Sequence, residues 1–221
     1  MSENRASLTD PAQLRALSHP LRVAIVNALG LERTATATRC AELTGESVAS
    51  CSYHLSILAK YGFVEPADGG RGREKPWRLV HDEHSWRVDD TMEPETAMAV
   101  EALSEVYIDQ TANRLKGWIR RSGREPEEWR RAASYWSTVT RLTVEELAEL
   151  AEEFESLVRR FEGRRRDPST APAGARPVEM FLGAWLPRSP EEVVPGPDGA
   201  TPPASSAERP AGDEAGGGEP S

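Results

Sequence analysis

The chain has 221 residues and carries 27 Lys and Arg against 36 Asp and Glu, a net charge of −9, with two cysteines. No run of about 18 apolar residues offers a membrane span. The opening MSENRASLTD lacks the apolar core of a signal peptide, and Cys40 and Cys51 are too few for a disulfide framework or a thiolate zinc site, so a cytoplasmic protein is expected.

The acidic total hides an uneven distribution. Residues 1–80 hold 10 basic and 8 acidic groups, residues 81–168 hold 14 and 20, and the last 53 hold 3 and 8. Because the local potential governs how a polyanion approaches, only the first third is suited to face nucleic acid. Arginine outnumbers lysine 24 to 3, a bias that marks a GC-rich genome rather than a function.

In chain order, the first helix is expected over DPAQLRALS, with Asp10 as its cap and Pro11 in its first turn. A second opens at Pro20 after the His19-Pro20 break. It places Leu21, Ile25 and Leu29 on one stripe, and Gly30 is expected to end it. A polar loop leads to a short helix, RCAELTG, stopped by Gly45. Ser47 then caps a longer helix, VASCSYHLSILAKYG, whose Cys51, Leu55 and Leu58 are spaced to face inward. Two helices joined by a tight glycine turn, the second polar at its start, form a helix-turn-helix pattern.

The next stretch, FVEPADGGRGREKPWRLV, reads as strand, glycine-rich turn, strand. Phe63 and Val64 open it, Trp77, Leu79 and Val80 close it, and Arg71, Arg73 and Lys75 sit about the tip. A basic hairpin directly after such a helix pair is the wing of a winged helix.

Beyond residue 90 the pattern is helical again. ETAMAVEALSEVYIDQTANRLKGWIRRSG ends near Gly123, and TVEELAELAEEFESLVRRFEGRRR starts with a Thr143/Glu146 capping box. The apolar stripe of the latter is Val144, Leu147, Leu150, Phe154, Leu157, Val158 and Phe161. Acids crowd its front and arginines its end, in keeping with the helix dipole. SYWSTVTRL and residues 175–186 alternate as strands do and are expected to pair. Trp86, Trp118, Trp129, Trp136 and Trp185 are expected to fill a second core. Residues 189–221, rich in Pro, Gly, Ser and acids, read as a disordered tail.

The expected architecture is mainly α with small β: a winged helix-turn-helix over residues 8–85, a helical dimerisation or effector domain with a short two-stranded element over 86–188, and the tail.

Residues 10–85 resemble the ArsR-type winged-helix transcriptional regulators. The resemblance rests on His19-Pro20-Leu21-Arg22, Ala41-Glu42-Leu43-Thr44-Gly45 and Ser47 to Leu55 ending in Tyr53-His54-Leu55. Leu58-Ala59-Lys60-Tyr61-Gly62-Phe63-Val64 and the Gly/Arg wing complete it. The TVEEL helix, the RRRDP break and the last apolar segment are similar to a subgroup of actinobacterial regulators. The resemblance implies a homodimer that sets two recognition helices in successive major grooves of an inverted repeat. Many such regulators sense metals through a Cys-x-Cys in the third helix. Here those positions read Thr36-Ala37-Thr38, and Cys40 lies one helical step away without a partner, so no metal or other cofactor is expected.

The resemblance places Ser50, Ser52, Tyr53 and His54 toward DNA, where hydroxyls and an imidazole reach phosphates or base edges. Val48 and Ala49 would touch thymine methyls or merely shape the turn. Arg71, Arg73 and Lys75 would meet phosphate or the minor groove, or form a solvated basic hairpin. Arg22 and Lys60 would clamp the backbone or engage in surface ion pairs. Cys40 and Cys51 read as small buried hydrophobes, and the HDEH run at 81–84 reads as a polar junction rather than a metal site. No catalytic constellation emerges, and GGRG lacks the strand-to-helix setting of a phosphate loop. The class expected is a non-enzymatic, sequence-specific DNA-binding regulator. The alternatives are a winged helix that binds protein, or a regulator whose tryptophans enclose a small organic ligand.

Overall fold

The computed structural model describes residues 5–69, 75–87 and 91–187. The chain enters through a short strand, β1 (Arg5–Ser7). Helix α1 (Pro11–Leu17) follows, its first turn fixed by Asp10, whose carboxylate accepts the Ala12 N–H at 2.8 Å. Helix α2 (Pro20–Glu32) is capped by His19, whose Nδ1 accepts the Leu21 N–H at 3.1 Å. It does not end at Gly30 as expected, but runs two residues further. The chain leaves the helix at Arg33, which takes a positive φ of 66°. That conformation is costly for a residue with a Cβ, and a 2.6 Å ion pair from Arg33 to Asp82 helps hold it.

Helix α3 (Ala37–Thr44) starts on the Thr36 hydroxyl and stops at Gly45, which sits in the left-handed region at φ 76°. Two residues later Ser47 caps helix α4 (Val48–Lys60) by accepting the Ser50 N–H at 3.1 Å. The far end of α4 is tied back to α1, where the Gln13 amide donates to the Tyr61 carbonyl at 3.0 Å. Strands β2 (Val64–Pro66) and β3 (Trp77–Leu79) then pair antiparallel, Val64 opposite Leu79 and Pro66 opposite Trp77. They are the base of the expected wing. Its tip, with Arg71 and Arg73, lies outside the described residues. Strand β4 (Glu83–Ser85) pairs in parallel with β1, setting Ala6 opposite His84.

Helix α5 (Pro94–Arg121) lies against α1 and α2. Its Ala99, Val100 and Leu103 are buried in the same core as Leu14, Ile25, Leu29, Leu55, Leu58 and Phe63. The expected boundary between residues 85 and 86 therefore does not separate two cores. The winged helix borrows the first half of α5, because a domain this small gains from every apolar side chain it can bury.

A short helix, α6 (Glu127–Ala132), precedes α7 (Val144–Arg159), which begins with the expected capping box: Thr143 N–H to Glu146 Oε2 at 2.7 Å and Glu146 N–H to Thr143 Oγ1 at 3.2 Å. Helix α8 (Glu162–Arg166) follows. Two compact units divide the chain, one of Met1–Tyr135 with Leu157–Phe181, the other of Trp136–Ser156 with the residues from Leu182 on. In the first, ionic contacts hold the returning chain: Arg165 to Glu83 at 2.9 Å, Arg114 to Glu179 at 2.7 Å and Arg176 to Glu125 at 3.1 Å. In the second, no described residue is buried.

Two expectations for this region do not hold. Residues 134–142 and 175–186 form no strands, and the two-stranded elements found lie instead in the N-terminal half. Alternation alone does not make a ribbon, which needs a covering layer to bury one face. Nor do the tryptophans fill a second core, since Trp136 and Trp185 are 84% and 79% exposed. Trp86 instead joins the first core, donating to the Ser104 hydroxyl at 3.0 Å and packing edge-on against Tyr107.

Candidate nucleic-acid interface

Helix α4 has two faces at helical spacing. Cys51, His54, Leu55 and Leu58 turn inward and are buried. Ala49, Ser52, Tyr53, Ser56 and Lys60 are exposed along the opposite side, with Val48 at its head and Ser50, half-buried, beside it. The exposed side offers methyls at its start, hydroxyls in its middle and one ammonium at its end. Tyr53 is 64% exposed, so its phenol is free to leave water for another partner. The Lys60 ammonium lies 5.4 Å from the centre of the Tyr61 ring. Ser56 is missing from the sequence-derived set, although it stands four residues after Ser52 and seven after Ala49. That spacing would have found it. Its hydroxyl donates to the Ser52 carbonyl at 3.0 Å.

His54 departs from the expected role. It is only 9% exposed, and its ring stacks on His19 with 4.5 Å between centroids. The reason lies in its position three residues after Cys51 and four before Leu58, which puts it on the inward stripe. Burial, then the neighbouring His19 and Arg22, hold its pKa below the ordinary imidazole value, and burial does the same for His19. The contact between these two rings joins α4 to the start of α2. The His54 Nδ1 has no hydrogen-bond partner among the described residues.

Arg22 projects from the first turn of α2 and donates to the Arg15 carbonyl at 3.2 Å. It is half-buried, and desolvation lowers its pKa from the ordinary guanidinium value. Lys75, just before β3, is exposed. Cys40 and Cys51 are fully buried, and burial pushes the Cys40 thiol up to about 11, which keeps it protonated near neutrality. Thr36 is committed to capping α3. No group of three or more His, Cys, Asp or Glu among the described residues is placed to hold a metal ion. At the wing root a cavity of about 400 Å³ is lined in part by Arg33, Glu65, Arg78 and Asp82. Its charges are matched internally, Arg33 to Asp82 and Arg78 to Glu65.

The family model of a helix-turn-helix domain matches residues 17–67, from the end of α1 to just past β2. No curated protein matches the chain. The match and the geometry of α3 and α4 support a helix-turn-helix domain within this stretch, of the kind that binds DNA in transcription regulators. No helix among the described residues is long and apolar enough to cross a membrane.

Proposed function

We propose that this protein is a cytoplasmic bacterial regulator of the ArsR type that binds an inverted repeat in double-stranded DNA as a homodimer, without a metal signal. The observation that carries the reading is the exposed face of α4, a rigid helix capped at Ser47 whose Ala49, Ser52, Tyr53 and Ser56 point away from the core. Its methyls and hydroxyls suit base edges and phosphates in a major groove. Lys60, Lys75, Arg22 and the wing residues Arg71 and Arg73 would supply the phosphate contacts that give affinity. A homodimer would set its two copies of α4 on half-sites about one helical turn apart. Thr36-Ala37-Thr38 supports a non-metal signal, since hydroxyls and a methyl replace the thiolates a soft metal needs.

The test is a gel-shift titration at low salt with DNA from upstream of the gene, comparing wild type with a Ser52→Ala, Tyr53→Ala variant. Both side chains are exposed, so the fold should be unchanged while affinity drops at least tenfold, on the order of 1.5–3 kcal/mol per hydrogen bond to a charged partner. Absence of retardation by the wild type, or equal affinity of the variant, would sink the reading.

A further inference from the structure

The cap on α2 works only with an unprotonated histidine. His19 Nδ1 accepts the Leu21 N–H at 3.1 Å, which needs a free lone pair on that nitrogen. The same ring lies against His54, with 4.5 Å between centroids, and His54 meets the Tyr53 ring edge-on at 5.2 Å. Three rings thus run from the cap of α2 to a side chain on the exposed face of α4. A proton on His19 Nδ1 would turn the acceptor into a donor facing another donor. It would also set a positive charge at the positive end of a helix.

The surroundings of the pair favour its neutral form. Arg22 of α2 is half-buried beside both rings, and its Nε, like His54 Nδ1, has no hydrogen-bond partner among the described residues. Tyr53 on α4 and Tyr61 just beyond it face Arg22 with phenols rather than carboxylates. From α1 comes the Arg15 carbonyl, which accepts from Arg22 at 3.2 Å, while the Arg15 guanidinium pairs with Glu95 of α5 at 2.7 Å. Glu46, in the turn between α3 and α4, draws a proton toward both rings, but it is exposed. Burial outweighs it, with the positive charge of Arg22 acting on both rings and His19 acting on His54.

We infer that the His19–His54 pair is a pH-sensitive positioning device for α4, so that protonation of the pair withdraws the exposed face of that helix from DNA. This rests on α4 being the helix that reads DNA, and deepens that reading by naming acidification as a signal. The direction is opposite to that of a histidine facing phosphate, which would bind more tightly once protonated. Here affinity is full above about pH 6.5, the ordinary imidazole value, and is lost as the pH falls through the lower values of the folded protein.

Fluorescence anisotropy of the full-length chain on duplex from upstream of the gene tests it, at pH 7 and pH 5 and constant ionic strength. His19→Asn is the comparison, because Asn caps a helix well and takes up no proton. Wild type should lose about tenfold in affinity, within what one or two coupled protons can remove over this range, and His19→Asn about threefold or less. Acid unfolding at other sites would be shared by both proteins and cancels in the comparison. Wild type that binds as tightly or more tightly at pH 5 overturns the device, and so does a His19→Asn variant that loses as much as wild type. Proton NMR without DNA separates this claim from the regulator itself. The His19 ring should titrate below about pH 6.5, with the Leu21, Tyr53 and His54 amides shifting along the same curve. Amides of α4 that stay still while His19 titrates overturn the device whether or not DNA binds. Amides that follow it, in a protein that binds no duplex at either pH, spare the coupling of the two helices and remove the regulator.

Discussion

His84 is the middle residue of β4, its ring 5.2 Å from Phe63 and 6.4 Å from His81. Burial, and then the proximity of His81, push its pKa down to about 4. The unfolded chain keeps an ordinary imidazole near 6.5 and so takes up the proton first as the pH falls. The contribution of this residue to stability is thus full above about pH 6.5 and is lost between there and pH 4. Its slope is at most about 1.4 kcal/mol per pH unit, roughly 2–3 kcal/mol across the window. His19 and His54 add in the same direction. Urea titrations at pH 7 and pH 5 should show a clear loss of stability for wild type and a smaller one for His84→Gln. A variant that loses as much as wild type would contradict this account.

At the scale of elements, α5 is the test of how the fold is built. Leu103 is fully buried on its inner face, so Leu103→Ala should cost about 2–5 kcal/mol by lost transfer energy and the cavity left behind. A chain ending at residue 90, without α5, should fail to unfold cooperatively, whereas one ending at 121 should show a sharp transition. Cooperative unfolding of the shorter chain would show that α5 is an accessory. The same helix marks the limit of what could be read from the residues alone. Asp10, Ser47 and Gly45 act within one turn of the backbone, and their elements came out as expected. The pairing of Arg5–Ser7 with Glu83–Ser85 joins strands almost eighty residues apart and leaves no local mark. The burial of Ala99, Val100 and Leu103 against α1 and α2 is equally non-local. At the site, His54 was legible from its spacing, but a polar ring in a recognition helix invited a polar role. Residues 134–142 show the opposite error, alternation without a layer to pack on.

At the scale of the whole molecule, the charge that matters is local. Binding to the operator should weaken with salt, with a log–log slope set by the number of phosphates neutralised. Lys60→Ala should reduce that slope by about 1 and weaken binding to all sequences alike, whereas Ser52→Ala should change affinity mainly for the cognate sequence. Fluorescence anisotropy over a range of potassium chloride, with operator and unrelated duplexes, reads both. A slope unchanged in Lys60→Ala would remove that residue from the phosphate set.

The outer face of α4 ends in one ammonium and is otherwise methyls and hydroxyls. A helix so equipped has little hold on unrelated DNA, because counterion release supplies nearly all the grip a protein has on random sequence. On the proposed reading, whatever hold the protein has on unrelated DNA must then come from basic residues outside this face, Arg22, Lys75, Arg71 and Arg73, so that general affinity and sequence choice would rest on separate parts of the chain and could be altered separately.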